Sequence, residues 1–128
     1  MGVQTTVNII LWVVQVVLAL MFLMAGVMKA TRPINELAKR MRWVEGVSPG
    51  LVRFVGVSEI LGAIGLVLPG LAHFAPWLTV AAGIGLAVVM VLAAQLHMRL
   101  GERSAIRVNG ILFLLALVVV VGRAMLPV

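Results

Sequence analysis

One uninterrupted apolar stretch decides the fold of this chain. Residues 7–28 read VNIILWVVQVVLALMFLMAGVM and contain no charged side chain. At a rise of about 1.5 Å per residue, a helix of about 22 residues is roughly 33 Å long, which matches the hydrocarbon core of a bilayer. The stretch therefore predicts a membrane-spanning helix.

Three more apolar blocks of similar length follow the first one. They cover residues 51–71, 76–98 and 106–126, and hydrophobic residues make up 63% of the 128-residue chain. Because lipid offers no hydrogen-bond partners to the backbone, blocks of this length are expected to be helices rather than barrel strands. The sequence therefore predicts an all-α fold: one domain, residues 1–128, forming an integral membrane bundle of four transmembrane helices in up-down order.

The first link between these blocks has a helical pattern of its own. Trp43 closes the run, basic residues fill its other faces, and apolar residues recur at helical spacing: Ile34, Leu37, Ala38 and Met41. This pattern predicts a short amphipathic helix over residues 33–43, lying in the membrane interface between the first and second spans. A solvated, irregular loop is the alternative.

Positive charge is concentrated at one end of the predicted bundle. The formal net charge is +6, and nine of the ten basic residues lie in or beside the first and third links, whereas Arg123 lies near the C-terminus. The positive-inside rule makes these links cytoplasmic and places both termini outside, in a multi-pass protein of the cell membrane. We attribute the charge to topology and to attraction for anionic lipids, and nucleic acid is not expected as a partner.

The composition excludes several kinds of chemistry. The chain has no cysteine, so disulfides, thiolate metal sites and cysteine nucleophiles are excluded. The two histidines, His73 and His97, fall at opposite ends of the bundle, and no metal site is expected. No serine has a histidine and a carboxylate at a suggestive spacing, so the sequence assigns no catalytic residue.

Glu59 is the strongest single functional signal in the sequence. It lies about eight residues inside the second span, where a carboxylate is costly unless it is paired or protonated and faces the bundle interior. The same half of the bundle holds polar residues from all four spans, and together they form a predicted polar cluster: Glu59, Lys29, Arg53, Gln95, His97 and Asn109. Two interpretations remain open. The cluster lines a ligand pocket or proton path, or Glu59 is a structural strut paired with Lys29 or Arg53.

A smaller group of polar residues lies at the opposite end. Asn8 and Arg123 form a candidate pair, with Gln15 deeper in the first span. We favour the other interpretation, in which Arg123 extends outward to the lipid headgroups.

Several segments resemble the DoxX-like membrane proteins. They are residues 20–29 (LMFLMAGVMK), Leu37-Ala38, Trp43, residues 55–70 (VGVSEILGAIGLVLPG), residues 94–102 (AQLHMRLGE) and Asn109. The resemblance covers nearly the whole chain and implies a four-helix membrane fold. It also implies one of three roles known in that family: a subunit associated with a thiosulfate:quinone oxidoreductase, a component of bacterial redox-stress complexes, or a chaperone-like assembly factor.

Two main functional expectations follow. The first is a non-catalytic accessory protein that packs with a membrane partner or with itself, because several helix faces are rich in glycine and alanine. The alternative is a protein in a redox-linked role that binds a lipophilic, quinone-like molecule at the polar cluster, and a small transporter is a weaker third. No cofactor is expected apart from a quinone. The expected partners are membrane lipids and either a second copy or another membrane protein.

Overall fold

The computed structural model describes residues 2–127, and it confirms the predicted all-helical, four-span architecture. The helices are α1 (Val3–Thr31), α2 (Ile34–Arg40), α3 (Pro49–Ala72), α4 (Trp77–Leu100) and α5 (Arg103–Met125). A short 3-10 helix over Arg42–Gly46 follows α2. The four long helices α1, α3, α4 and α5 are each long and apolar enough to cross a membrane.

The four long helices pack as an antiparallel bundle. α3 lies between α1 and α4, α4 packs against α5, and α5 returns to α1 over a smaller contact. We call the end that carries the first and third links the basic end, and the end that carries the chain termini the terminal end. Large apolar side chains cover much of the outer surface, as expected for helices surrounded by lipid.

Local sequence signals fix where the helices begin and end. The Ser48 hydroxyl accepts a hydrogen bond from the Leu51 amide at 3.3 Å, and Pro49 occupies the first helical position of α3. Gly101 ends α4 in the left-handed conformation, with φ +72°. A residue with a Cβ atom disfavours that conformation, which explains glycine at this position.

Glycines of α1 and α3 allow the backbones of these two helices to approach closely. A Cβ atom placed on Gly26 would lie 2.6 Å from the carbonyl oxygen of Gly56, so only glycine permits this approach. Gly62 of α3 likewise packs on Leu86, and Gly122 of α5 packs on Leu11. The glycine-rich faces are therefore used largely inside the bundle.

The first link forms a helix, but a shorter one than residues 33–43. α2 ends at Arg40, because the backbone turns to an extended conformation at Met41 before the 3-10 helix begins. The link folds back onto the basic end of the bundle, where Leu37 and Trp43 are buried together with Val52 of α3. The apolar face of the link thus packs largely against the protein itself.

Candidate functional site

Glu59 faces the interior of the bundle and forms an ion pair. Its side chain is almost fully buried, with 1% of the residue exposed. The Lys29 ammonium of α1 donates a hydrogen bond to Glu59 Oε1 at 2.6 Å. The same ammonium lies 5.8 Å from the centre of the Trp43 ring, within the range of a cation–π contact. This confirms the prediction that Glu59 points inward and has a partner.

Arg53 also belongs to this end of the bundle, but it does not pair with Glu59. Its guanidinium Nη1 donates to the backbone carbonyls of Lys29 at 2.9 Å and Arg32 at 2.6 Å. These carbonyls lie at the C-terminal end of α1, where the helix itself supplies no donors. Arg53 therefore ties the end of α1 to α3, which holds Lys29 in place beside Glu59.

A cavity of about 290 Å³ opens next to this ion pair, and we call it the basic-end cavity. Phe54 of α3 and Leu92 of α4 lie at its edge and are 68% and 59% exposed on the outer surface. The mouth of the cavity therefore faces the side of the bundle that is surrounded by lipid. The lining residues are Lys29, Trp43, Leu51, Phe54, Val55, Ser58, Val89, Met90, Leu92, Ala93, Leu96, His97 and Asn109.

The polar part of the cavity wall contains an unused hydrogen-bond donor. Asn109 of α5 is buried, and its amide nitrogen has no hydrogen-bond partner among residues 2–127. The Ser58 hydroxyl donates to the Phe54 carbonyl at 2.8 Å, and His97 Nδ1 lies 3.1 Å from Glu102 Oε1. The lining of the cavity thus includes the unpaired amide of Asn109 and the ammonium of Lys29 among mostly apolar side chains.

The structure separates the six residues of the predicted polar cluster into three groups. Lys29, His97 and Asn109 line the basic-end cavity. Glu59 and Arg53 do not line the cavity, and both form hydrogen bonds with Lys29. Gln95 stands apart from both groups.

Gln95 was wrongly assigned to the interior. It is exposed on the outer face of α4. Since Gln95 follows buried Met90 by five residues, it lies about 140° around the helix from the packed face.

Two cavity residues with a polar group in the side chain, Trp43 and Ser58, were not assigned to the cluster from the sequence. Trp43 was expected to mark the membrane interface, and it instead forms part of the cavity wall under Lys29. Ser58 lies on α3 and also lines the cavity. Its position one helical turn after Phe54 is the signal that would place it on the same face. The placement of Trp43 depends on how the link folds back, which periodicity does not encode.

The predicted pair at the terminal end exists and includes Gln15. The Arg123 guanidinium donates from Nε to Gln15 Oε1 at 2.6 Å and from Nη1 to Asn8 Oδ1 at 2.7 Å. Gln15 in turn donates to the Leu66 carbonyl of α3 at 2.6 Å. The Arg123 side chain turns inward to these partners, with 3% of the residue exposed, so the outward extension that we favoured from the sequence is wrong.

Comparison with known proteins identifies the family. Residues 13–119 match the DoxX-like family, and this range contains the basic-end cavity and its ion pair. No curated protein and no solved structure matches the chain. The match covers well over half of the sequence and agrees with four helices able to cross a membrane. This small multi-pass membrane protein belongs to the DoxX-like family.

Proposed function

We propose that the protein binds a lipophilic small molecule in the basic-end cavity. The observation that carries this proposal is Asn109, which lines the cavity and whose buried amide nitrogen has no hydrogen-bond partner among residues 2–127. A buried donor left unpaired costs about 1–3 kcal/mol, and a ligand oxygen placed against it would recover that free energy.

The chemistry of the walls indicates the class of molecule. Apolar side chains from α3 and α4 form most of the cavity, with a few polar groups among them, as in typical small-molecule sites. The ammonium of Lys29 and the amide of Asn109 are both donors, so they favour a head group that accepts hydrogen bonds, such as a carbonyl. Because Glu59 balances the charge of Lys29, a neutral head group fits best.

A quinone is one molecule of this class, and family membership makes it the first to test. Its carbonyl oxygens accept hydrogen bonds, and its apolar tail would leave through the mouth between Phe54 and Leu92. A quinone would supply redox chemistry when bound. The contribution of the chain would be to bind and orient it through Lys29 and Asn109.

Transport is less well supported than binding. The polar groups of the basic end and those around Arg123 are separated by a fully packed apolar layer, in which Leu18, Phe22 and Leu66 are at most 2% exposed. A carrier would need this layer to open. A site with a lateral mouth needs no such change, so the geometry favours a binding protein.

An accessory role with a membrane partner or a second copy is the other candidate. Its motivation was the glycine-rich faces, and these pack mainly within the bundle. The cavity therefore provides the stronger basis for function.

We further propose that the basic end is cytoplasmic and that both termini are outside, since nine of ten basic residues lie at that end.

Filling the cavity tests the binding proposal. Ala93 lines the cavity, whereas Val91 lies on an exposed face of the same helix, so Ala93→Phe and Val91→Phe form a matched pair. Each protein would be purified with its native lipids, and the bound small molecules would be identified by mass spectrometry. Binding of an added short-chain quinone would then be titrated.

We expect the wild type and Val91→Phe to retain a stoichiometric lipophilic molecule or to bind the quinone saturably, and Ala93→Phe to lose it. Asn109→Leu should also weaken binding, because it removes the unpaired donor. Equal binding by Ala93→Phe and Val91→Phe, or a wild type that neither retains such a molecule nor binds the quinone saturably, would refute the proposal.

A further inference from the structure

Arg123 is a buried cation, and no acidic side chain lies beside it in the described part of the chain. Its three hydrogen bonds go to neutral acceptors: the side chains of Asn8 and Gln15 and the backbone carbonyl of Leu126, the last at 3.2 Å. The four acidic residues of the chain all lie toward the basic end: Glu36, Glu45, Glu59 and Glu102. The guanidinium is therefore oriented by neighbours that do not neutralise it.

One nitrogen of this guanidinium remains unused. Arg123 Nη2 is buried and has no hydrogen-bond partner among residues 2–127. A buried charge is costly unless an opposite charge lies next to it. The C-terminal end of α5 supplies only a partial negative charge, so it compensates the guanidinium incompletely. Both the free donor and the unbalanced charge point to an anion.

We propose that Arg123 is the core of a phosphate-binding site at the terminal end of the bundle. Guanidinium pairs strongly with phosphate oxygens through charge-assisted hydrogen bonds. Arg123 lies two residues before α5 ends at Met125, which is about 3 Å along the helix axis and close to the expected headgroup layer. The phosphate comes from a phospholipid headgroup or from free phosphate.

The site does not depend on the basic-end cavity. The polar neighbours of Arg123 come from α1 and from the end of α5, and the apolar layer around Leu18 and Phe22 lies between the two ends. Trp12 provides a local reporter, because the Arg123 guanidinium carbon lies 5.4 Å from the centre of its ring. An anion that binds Arg123 would change the electrostatic environment of this indole.

Trp12 fluorescence tests the proposal. The chain has three tryptophans, so Trp43→Phe with Trp77→Phe leaves Trp12 as the only one. This protein, delipidated in a phosphate-free maltoside detergent, would be titrated with short-chain phosphatidylglycerol or with sodium phosphate. Diacylglycerol of the same chain length and sodium chloride at matched ionic strength are the phosphate-free controls.

We expect a saturable change in Trp12 fluorescence with a phosphate-containing titrant and none with the controls. The change should be lost in Arg123→Gln and kept in Arg103→Gln, which removes an exposed arginine at the basic end. A response to the lipid alone assigns the phosphate to a headgroup. A response to both titrants, or to sodium phosphate alone, assigns it to an ion-accessible site.

Three results would overturn the site. In the first, the parent protein gives no saturable change in fluorescence. In the second, Arg123→Gln responds as the parent does, and in the third, diacylglycerol gives the same response as the phosphate-containing titrant. If Arg123→Gln fails to fold, Arg123→Lys replaces it. That variant keeps the charge but loses the guanidinium donors, so half-saturation should require at least tenfold more titrant. An unchanged half-saturation point would contradict the proposal.

Discussion

Lys29 and Glu59 meet because their side chains lean toward each other from antiparallel helices. In an α-helix the Cα–Cβ bond tilts toward the N-terminus, so Lys29 of α1 leans toward the terminal end and Glu59 of α3 leans toward the basic end. The contact of Gly26 with Gly56 brings the two backbones close enough for Nζ and Oε1 to lie 2.6 Å apart. The ion pair is thus a consequence of how α1 and α3 pack.

Breaking the ion pair from its two sides should have unequal effects. Lys29→Ala leaves the buried Glu59 carboxylate without a partner, and we expect a loss of about 3–5 kcal/mol in the free energy of unfolding. Glu59→Gln should keep the fold and cost less, because its amide oxygen still accepts from Lys29. Unfolding in detergent, followed by circular dichroism, measures both variants. An equal loss from the two substitutions would contradict the strut interpretation.

The glycine contact can be tested with a matched pair of substitutions. Gly26→Ala would place a methyl group 2.6 Å from the Gly56 carbonyl oxygen, so the backbones must separate. We expect a destabilisation of about 1–3 kcal/mol. Gly110→Ala is the control, because a Cβ there meets nothing within 4 Å. In a helix interior that change should be neutral or stabilising by up to about 1 kcal/mol. Similar effects at both positions would show that the contact is unimportant.

Two glutamines distinguish the buried network from the outer surface. Gln15→Leu removes the acceptor of Arg123 Nε, and we expect a cost of about 1–3 kcal/mol because the donor is buried. Gln95→Leu changes an exposed residue of α4 and should stay within about 0.5 kcal/mol. Thermal unfolding midpoints in the same detergent give the comparison. A large shift of the unfolding midpoint in Gln95→Leu would mean that this face of α4 packs against another molecule in the detergent solution.

The orientation in the membrane can be measured without background labelling, since the chain has no cysteine. His73 lies between α3 and α4 at the terminal end, and Ser104 lies at the start of α5 at the basic end. A membrane-impermeant maleimide added to intact cells should label His73→Cys and should reach Ser104→Cys only after permeabilisation. The reverse pattern would invert the proposed topology.

The predictable parts of the structure are those set by periodicity and burial cost. Four apolar blocks fixed the spans because length and composition alone determine whether a helix can cross a bilayer. The cost of a charge at that depth was enough to place Glu59 inside the bundle beside a basic residue.

The parts that were not predictable depend on how separate elements meet. Gln95 and His97 are neighbours in sequence, yet only His97 reaches the cavity, because two residues turn an α-helix by about 200°. Trp43 reaches the cavity because the link folds back on the bundle, and no local pattern specifies that packing. The unpaired state of Asn109 is likewise a property of three-dimensional packing.

The position of Trp43 has a consequence for dynamics. Since this wall of the basic-end cavity belongs to the link and not to a span, a bound molecule would contact a segment that can open locally without the bundle unfolding. Occupancy and the order of the link are then thermodynamically linked, and each stabilises the other. Amide hydrogen exchange between Leu37 and Val47 would slow as the cavity fills, so the order of the link reports whether the cavity is occupied.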